Sequence, residues 1–221
     1  MRYKLMMALL AIASAEVTTQ SGALAQNPPT PPTGGAAARG GGGGGGGQRG
    51  GGGGRGRGAM VMSLSTTAWT DGGQIPVKYS QIGDVSPPLT WSDPPMNTAS
   101  FVLMAYDMDG AATGSTDGLL HWLVWNIPGT ARGLPEGVPQ GPQLPDGTRQ
   151  ISQTGPNYRG PAAVSNGPAH HYAFELFALD TVLTIEPVGQ PVAATRAAVL
   201  AAMQGRVRGK AILIGLFKRP E

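Results

Sequence analysis

Three histidines and two closely spaced aspartates are the side chains in this sequence whose types and spacing suit binding or proton-transfer chemistry. His121, His170 and His171 are its only histidines. Each stands at the start of a hydrophobic run that reads as a strand, and Asp107 and Asp109 close another such run. Residues two apart on a strand point the same way, so Asp107 and Asp109 are expected to share a face. By the same parity His121 should point with Leu123 and Trp125, while Trp122 and Val124 face the other side. Imidazoles and carboxylates at the ends of neighbouring strands could then converge at one end of a sheet. The competing reading is that the aspartates cap a turn and the histidines are strand-end surface residues. Asp107, Asp109, His121 and His170 are also acceptable zinc ligands. With no His-x-x-x-His spacing and no serine in a nucleophile elbow, a metal-dependent hydrolase is the weaker expectation, and no cofactor is expected.

The elements that must position these residues lie in the last 163 residues, Ala59 to Glu221, enough for one domain with a substantial core. Four short runs rich in β-branched and aromatic residues read as strands: Ser100 to Tyr106, Leu119 to Ile127, His171 to Leu179 and Lys210 to Phe217. One helix is expected from Thr195 to Gln204, with Thr195 capping its start and Gly205 closing it. Long loops rich in Gly, Pro and Asp separate the strands, from Gly110 to Gly118 and from Pro128 to Gly167, and loops of that length are usually functional. The expectation is a mainly antiparallel β-domain with a late helix.

The part of the 221-residue chain ahead of this body, residues 1–58, has a different composition. Met1 to Ala25 reads as a secretory signal peptide, with Arg2 and Lys4 before an apolar core and Ala23-Leu24-Ala25 before the cut. Asn27 to Gly58 holds seventeen of the 36 glycines and reads, with Gln26, as a disordered linker. Four arginines there resemble a nucleic-acid-binding Gly/Arg segment, but the segment has no aromatic for stacking. The formal charge of +3 misleads, because from Ala59 onward ten basic side chains face twelve acidic ones. A slightly acidic body is no nucleic-acid-binding surface. Absence of cysteine excludes disulfides, thiolate metal sites, a cysteine nucleophile and a lipidated cysteine. No run beyond the leader is long enough for an integral membrane span. An exported protein, periplasmic or extracellular, is expected.

Ordered motifs along the body resemble the phosphatidylethanolamine-binding protein family, specifically its bacterial Raf-kinase-inhibitor-like branch. They are Asp71-Gly-Gly-Gln-Ile-Pro76, Ser86-Pro-Pro-Leu-Thr-Trp91, Ser100 to Asp109, and His121-Trp-Leu-Val-Trp-Asn-Ile-Pro128. Tyr158-Arg-Gly-Pro161, His170 to Asp180 and Ala201-Ala-Met-Gln-Gly205 follow in order. The resemblance implies a large antiparallel sheet with a smaller second sheet and peripheral helices. It also implies a small anion-binding pocket formed by Asp107, Asp109, His121, Tyr158, Gly160, His170 and Tyr172. Trp122 or Trp125 could line an apolar mouth. Met108 stands where the family's Asp-Pro-Asp motif has proline, and Gly110-Ala111 where Ala-Pro is usual. Loss of that fixed φ should loosen the loop. Gly160-Pro-Ala-Ala-Val164 replaces a proline-rich Gly-Pro-x-Pro-Pro wall and should soften it.

The expected function is non-catalytic binding of a small anionic or phosphorylated ligand, such as a phospho-head-group. The alternative is an interaction or inhibitor module whose pocket regulates a protein partner; homodimerisation is left open. Neighbouring aspartates should raise the histidine pKa values, so affinity should fall between roughly pH 6 and pH 8. As a strand-end residue, His121 should be replaceable without loss of folding.

Overall fold

The computed structural model describes residues 58–111, 116–186 and 191–221. The expected signal peptide, and the expected linker apart from Gly58, lie outside the described residues. The described residues of the body contain ten strands: Met60–Val61 (β1), Leu64–Ser65 (β2), Gly73–Gln74 (β3), Leu89–Trp91 (β4), Ser100–Ala111 (β5), Gly118–Pro128 (β6), Gly133–Leu134 (β7), Arg149–Ile151 (β8), His170–Leu179 (β9) and Val207–Phe217 (β10). One α-helix, Val192–Met203 (α1), and one 3-10 turn, Val77–Tyr79, complete the regular structure among the described residues. No helix among the described residues is long and apolar enough to cross a membrane.

The four long strands form the centre of a seven-stranded sheet in the order β1-β10-β9-β5-β6-β8, with β3 pairing the far part of β10. The central pairings are antiparallel, but β1 and β3 join β10 in parallel, so the large sheet is mixed rather than wholly antiparallel. A second, three-stranded antiparallel sheet runs β2-β4-β7.

Both faces of the large sheet are covered along β5, β6 and most of β9, which is why those strands read as nearly continuous apolar runs, whereas β10 alternates buried and exposed residues. Phe101, Leu103 and Ala105 of β5 and Phe174, Leu176 and Ala178 of β9 face the small sheet, packing with Leu64, Leu89, Trp91 and Leu134. Val102 and Met104 face the other way, toward Val199 and Met203 of α1.

The helix begins three residues earlier than its alanine-rich pattern suggests. Pro191 occupies the N-cap without a side-chain hydrogen bond, and the Thr195 amide makes a helical bond to the Pro191 carbonyl at 3.0 Å. Thr195 is therefore no cap. It sits one turn inside, buried, with its hydroxyl unpartnered among the described residues. The C-terminal expectation holds: Gly205 at φ +72° adopts the left-handed conformation that glycine accepts without strain, just past the Gln204 C-cap.

Candidate functional site

Strand register places Asp107 of β5 directly opposite Tyr172 of β9, on the face toward the small sheet. The β5–β6 pairing is irregular between Asp107 and Ala111, and the Asp107 side chain organises that irregularity. Its Oδ1 accepts the backbone N–H groups of Asp109 and Gly110, both at 2.9 Å. Its Oδ2 accepts from Nδ1 of His170 at 2.7 Å. One buried carboxylate thus closes a local turn and orients an imidazole, so both readings of Asp107 from sequence describe it. The stretch following Met108 is tied down through Asp107, although Met108 itself is 52% exposed.

Asp109 takes the next histidine instead. Its Oδ2 accepts the His171 backbone N–H at 2.6 Å and His171 Nδ1 at 2.8 Å. These bonds, the backbone one foremost, hold the Asp109 carboxyl below the usual carboxylate range. Consecutive residues on a strand point to opposite faces, so the two aspartates engage His170 and His171 as separate pairs rather than as one carboxylate pair. His171, outside the pocket that the resemblance implies, stands beside the cluster through its adjacency to His170.

His121 corrects the parity expectation. Ala105 pairs with Trp122 and Tyr106 with Leu120, so His121 is the extra residue of a β-bulge. The bulge turns the imidazole edge-on to Tyr172, with ring centroids 5.2 Å apart, on the face of Trp122 rather than that of Leu123 and Trp125. Nδ1 meets two carbonyl oxygens, Gly160 at 2.9 Å and Arg159 at 3.1 Å. Carbonyls only accept, so Nδ1 carries the proton and Nε2 of the neutral ring is a lone pair. At 3% exposure, burial lowers the His121 pKa below its ordinary value, outweighing the upward pull of the two carbonyls and of Asp107. The expected upward shift is therefore reversed for this residue, and His121 is a packed residue rather than a dispensable strand end.

The Tyr172 hydroxyl accepts the backbone N–H groups of Ala162 and Ala163, each at 3.2 Å. Ala163 stands where the resemblance places a proline, and a proline has no N–H to give. Burial, with Asp107 beside it, pushes the Tyr172 pKa up to about 12, so the phenol stays neutral.

Gly160 lets the 152–169 loop lie against the backbone of Tyr79 and Ser80, since a Cβ there would fall 2.4 Å from the Ser80 carbonyl carbon. Tyr158 is buried, edge-on to Trp122, and its hydroxyl donates to the Tyr79 carbonyl at 2.7 Å. It fastens the loop. Trp122 and Trp125 are fully buried, their indole N–H groups donating to Gln150 Oε1 and to the Ile185 carbonyl. Neither lines an apolar mouth; nearby in sequence the exposed apolar residues are Met108 and Val164. The structure thus gathers Asp107, His121, His170 and Tyr172 into one cluster, with Gly160 and Tyr158 supporting it and the Asp109–His171 pair alongside. Among the described residues no three His, Asp or Glu side chains form a metal-binding group.

A family model described as phosphatidylethanolamine-binding protein matches residues 65–218. A UPF0098 protein of Methanothermobacter thermautotrophicus is 42% identical over 161 residues, covering 72% of this chain and 99% of its own. The UPF0098 protein YbhB of Escherichia coli is 39% identical over 130 residues, 54% of this chain and 78% of its own. Among solved structures, a phosphatidylethanolamine-binding protein homologue from Chlamydia trachomatis superposes with a TM-score of 0.61 at 30% identity, over 73% of this chain and 100% of that one.

Proposed function

The chain belongs to the phosphatidylethanolamine-binding protein family, and on that footing we propose that its Asp107–His121–His170–Tyr172 cluster binds a small phosphate-bearing or other anionic group without turning it over. The observation that carries the reading is the anchoring of two neighbouring imidazoles through Nδ1. His121 is held by two carbonyls and His170 by Asp107, and among the described residues neither Nε2 has a hydrogen-bond partner. Fixed rings with an unused nitrogen are prepared donors for an oxyanion once protonated. No serine or threonine hydroxyl hydrogen-bonds to these rings among the described residues, which favours binding over nucleophilic chemistry.

Sulfate keeps its charge across the relevant range and is the probe of choice. Neutral His121 offers an anion only a lone pair, so sulfate affinity should rise as pH falls below ~6.5, toward the lowered pKa of the free protein. His121→Asn keeps a donor for the Gly160 carbonyl and removes Nε2. It should weaken binding at low pH by about ten- to a hundredfold, the equivalent of one charged hydrogen bond. Calorimetric titration at several pH values, with and without chelator, decides this. A flat pH profile with unchanged affinity in the variant removes His121 from the site, and chelator-sensitive binding moves the site to a metal.

Export belongs to the same proposal and is supported by the charged start, apolar core and Ala23-Leu24-Ala25 of the leader. A relative in Mycobacterium tuberculosis, 32% identical over 160 residues, is named a lipoprotein. This chain has no cysteine to carry such a lipid. Intact mass of protein from the cell envelope should correspond to a chain beginning at Gln26. A soluble envelope species retaining Met1 would contradict export by cleavage.

A further inference from the structure

On the opposite face of the large sheet, a cavity of about 230 Å³ opens between the start of α1 and the beginning of β6. Its walls are mostly apolar, formed by Leu119 and Leu120 of β6 and Val192 and Leu200 of α1, with the small side chains of Ala193 and Ala197 at its mouth. One cation, Arg196, lines it. The guanidinium is fixed, Nη1 donating to the Gly118 carbonyl at 2.9 Å and the group lying 5.9 Å from the Tyr106 ring centroid. Yet among the described residues Arg196 makes no ion pair, and its buried Nε has no acceptor. Glu175, the acid on the same face of β9, is occupied by Lys210 at 2.7 Å. A buried guanidinium N–H without an acceptor is costly, so the Arg196 Nε beside the cavity has the capacity to donate to an incoming one.

A second feature points the same way. Among the described residues the first turn of α1 has neither a side-chain cap nor an acidic residue of its own, so the positive end of its dipole adds to the favourable field for an anion beside the cavity. Asp117, on the rim, has a contact of its own.

We propose that this cavity is a second binding site, separate from the His121 cluster, for a small organic carboxylate with an apolar body. The carboxylate pairs with Arg196, and the aliphatic or aromatic body fills the space between α1 and β6. The shape and charge requirements together exclude simple ammonium compounds and leave bare inorganic anions without the apolar contacts.

Hexanoate and phenylacetate are the probes, with phenethylamine as the control of similar shape and opposite charge. Chemical-shift mapping on the whole protein should show both carboxylates perturbing Gly118–Leu120 and Val192–Leu200, and the amine leaving them unmoved. Arg196→Met keeps the apolar stem and should lose at least tenfold in affinity. Ala193→Glu puts a carboxylate into the first helical turn, where it favours the helix, so folding is preserved. That charge should abolish carboxylate binding, while Ala193→Gln should retain it. Sulfate binding at the His121 cluster should be untouched by all three substitutions, which separates this inference from the reading of that cluster. Absence of carboxylate binding at millimolar concentration, equal binding of the amine, or unchanged affinity in Arg196→Met overturns it.

Discussion

Gly160→Ala should be among the most damaging single-methyl additions in this protein. The new Cβ would lie 2.4 Å from the Ser80 carbonyl carbon and 2.6 Å from the Tyr79 oxygen, both main-chain atoms that cannot swing aside. Either the 152–169 loop or the segment after the 3-10 turn must move. Three ties resist that movement: the Tyr158 hydroxyl on Tyr79, the Gln81 amide on the Pro161 carbonyl at 3.0 Å, and His121 Nδ1 on Gly160 itself. Overpacking of this kind costs about 1–3 kcal/mol. In a domain of this size each kcal/mol lowers the melting temperature by about 2–4 °C, so a loss of several degrees should be measured. The same shift should disturb the His121 anchor and weaken sulfate binding. Gly167→Ala, in the same loop, is the control: its Cβ would meet only the Val164 side chain at 3.5 Å, an ordinary contact. Equal melting temperatures for the two variants would mean that the approach of Gly160 to Ser80 is not a real constraint.

What could be read from sequence, and what could not, follows from the length scale of each signal. β5, β6 and β9 announce themselves because long runs buried on both faces leave an apolar imprint, and β10 because buried and exposed residues alternate along it with the period of a strand. The two-residue strands β1, β2, β3 and β7 leave none; they exist because a backbone edge or a small-sheet partner is available, which is tertiary information. The parallel attachment of β1 and β3 to β10 is likewise invisible to local periodicity. Helix α1 was legible in its middle and at Gly205, but its start was decided by Pro191, and burial rather than capping fixes Thr195.

The candidate cluster shows the same division. Residue types and their strand-end positions singled out Asp107, His121 and His170 correctly as neighbours, since strand order brings the ends of β5, β6 and β9 together. Their partners were misjudged because alternation assumes an unbroken pleat. A single inserted residue at His121 reverses the side it faces, and Asn126, at φ +57°, marks a second break that lets Trp125 and Ile127 enter different cores. The direction of the His121 pKa shift was lost for a related reason. Neighbouring aspartates suggested an upward shift, but the bulge buries the ring against Tyr172 and desolvation dominates.

Replacement of Asp107 discriminates most sharply between kinds of ligand at this site. Asp107→Ala strands three donors: the amides of Asp109 and Gly110 and Nδ1 of His170. These donors are only partly buried, so each loss falls toward the low end of about 1–3 kcal/mol, and together they should clearly destabilise this variant. Asp107→Asn keeps an oxygen for the two amides and should fold. Its side-chain NH2 then faces His170, which must switch tautomer, accepting at Nδ1 and carrying its proton on Nε2. Nitrogen chemical shifts of the ring would register the change directly. The variant also removes a negative charge from the cluster. Two unit charges about 4 Å apart interact by ~4 kcal/mol at an effective dielectric near 20, so relief of even part of that repulsion should tighten sulfate binding at least tenfold. Phosphoethanolamine separates the alternatives. If the aspartate holds the ammonium end of a zwitterionic head group, Asp107→Asn should strengthen sulfate and weaken phosphoethanolamine in the same preparation. If both ligands gain equally, the site recognises the anion alone and Asp107 serves to orient His170. Unchanged sulfate affinity in this variant would contradict both, placing the anion too far from Asp107 for the cluster to be its binding site.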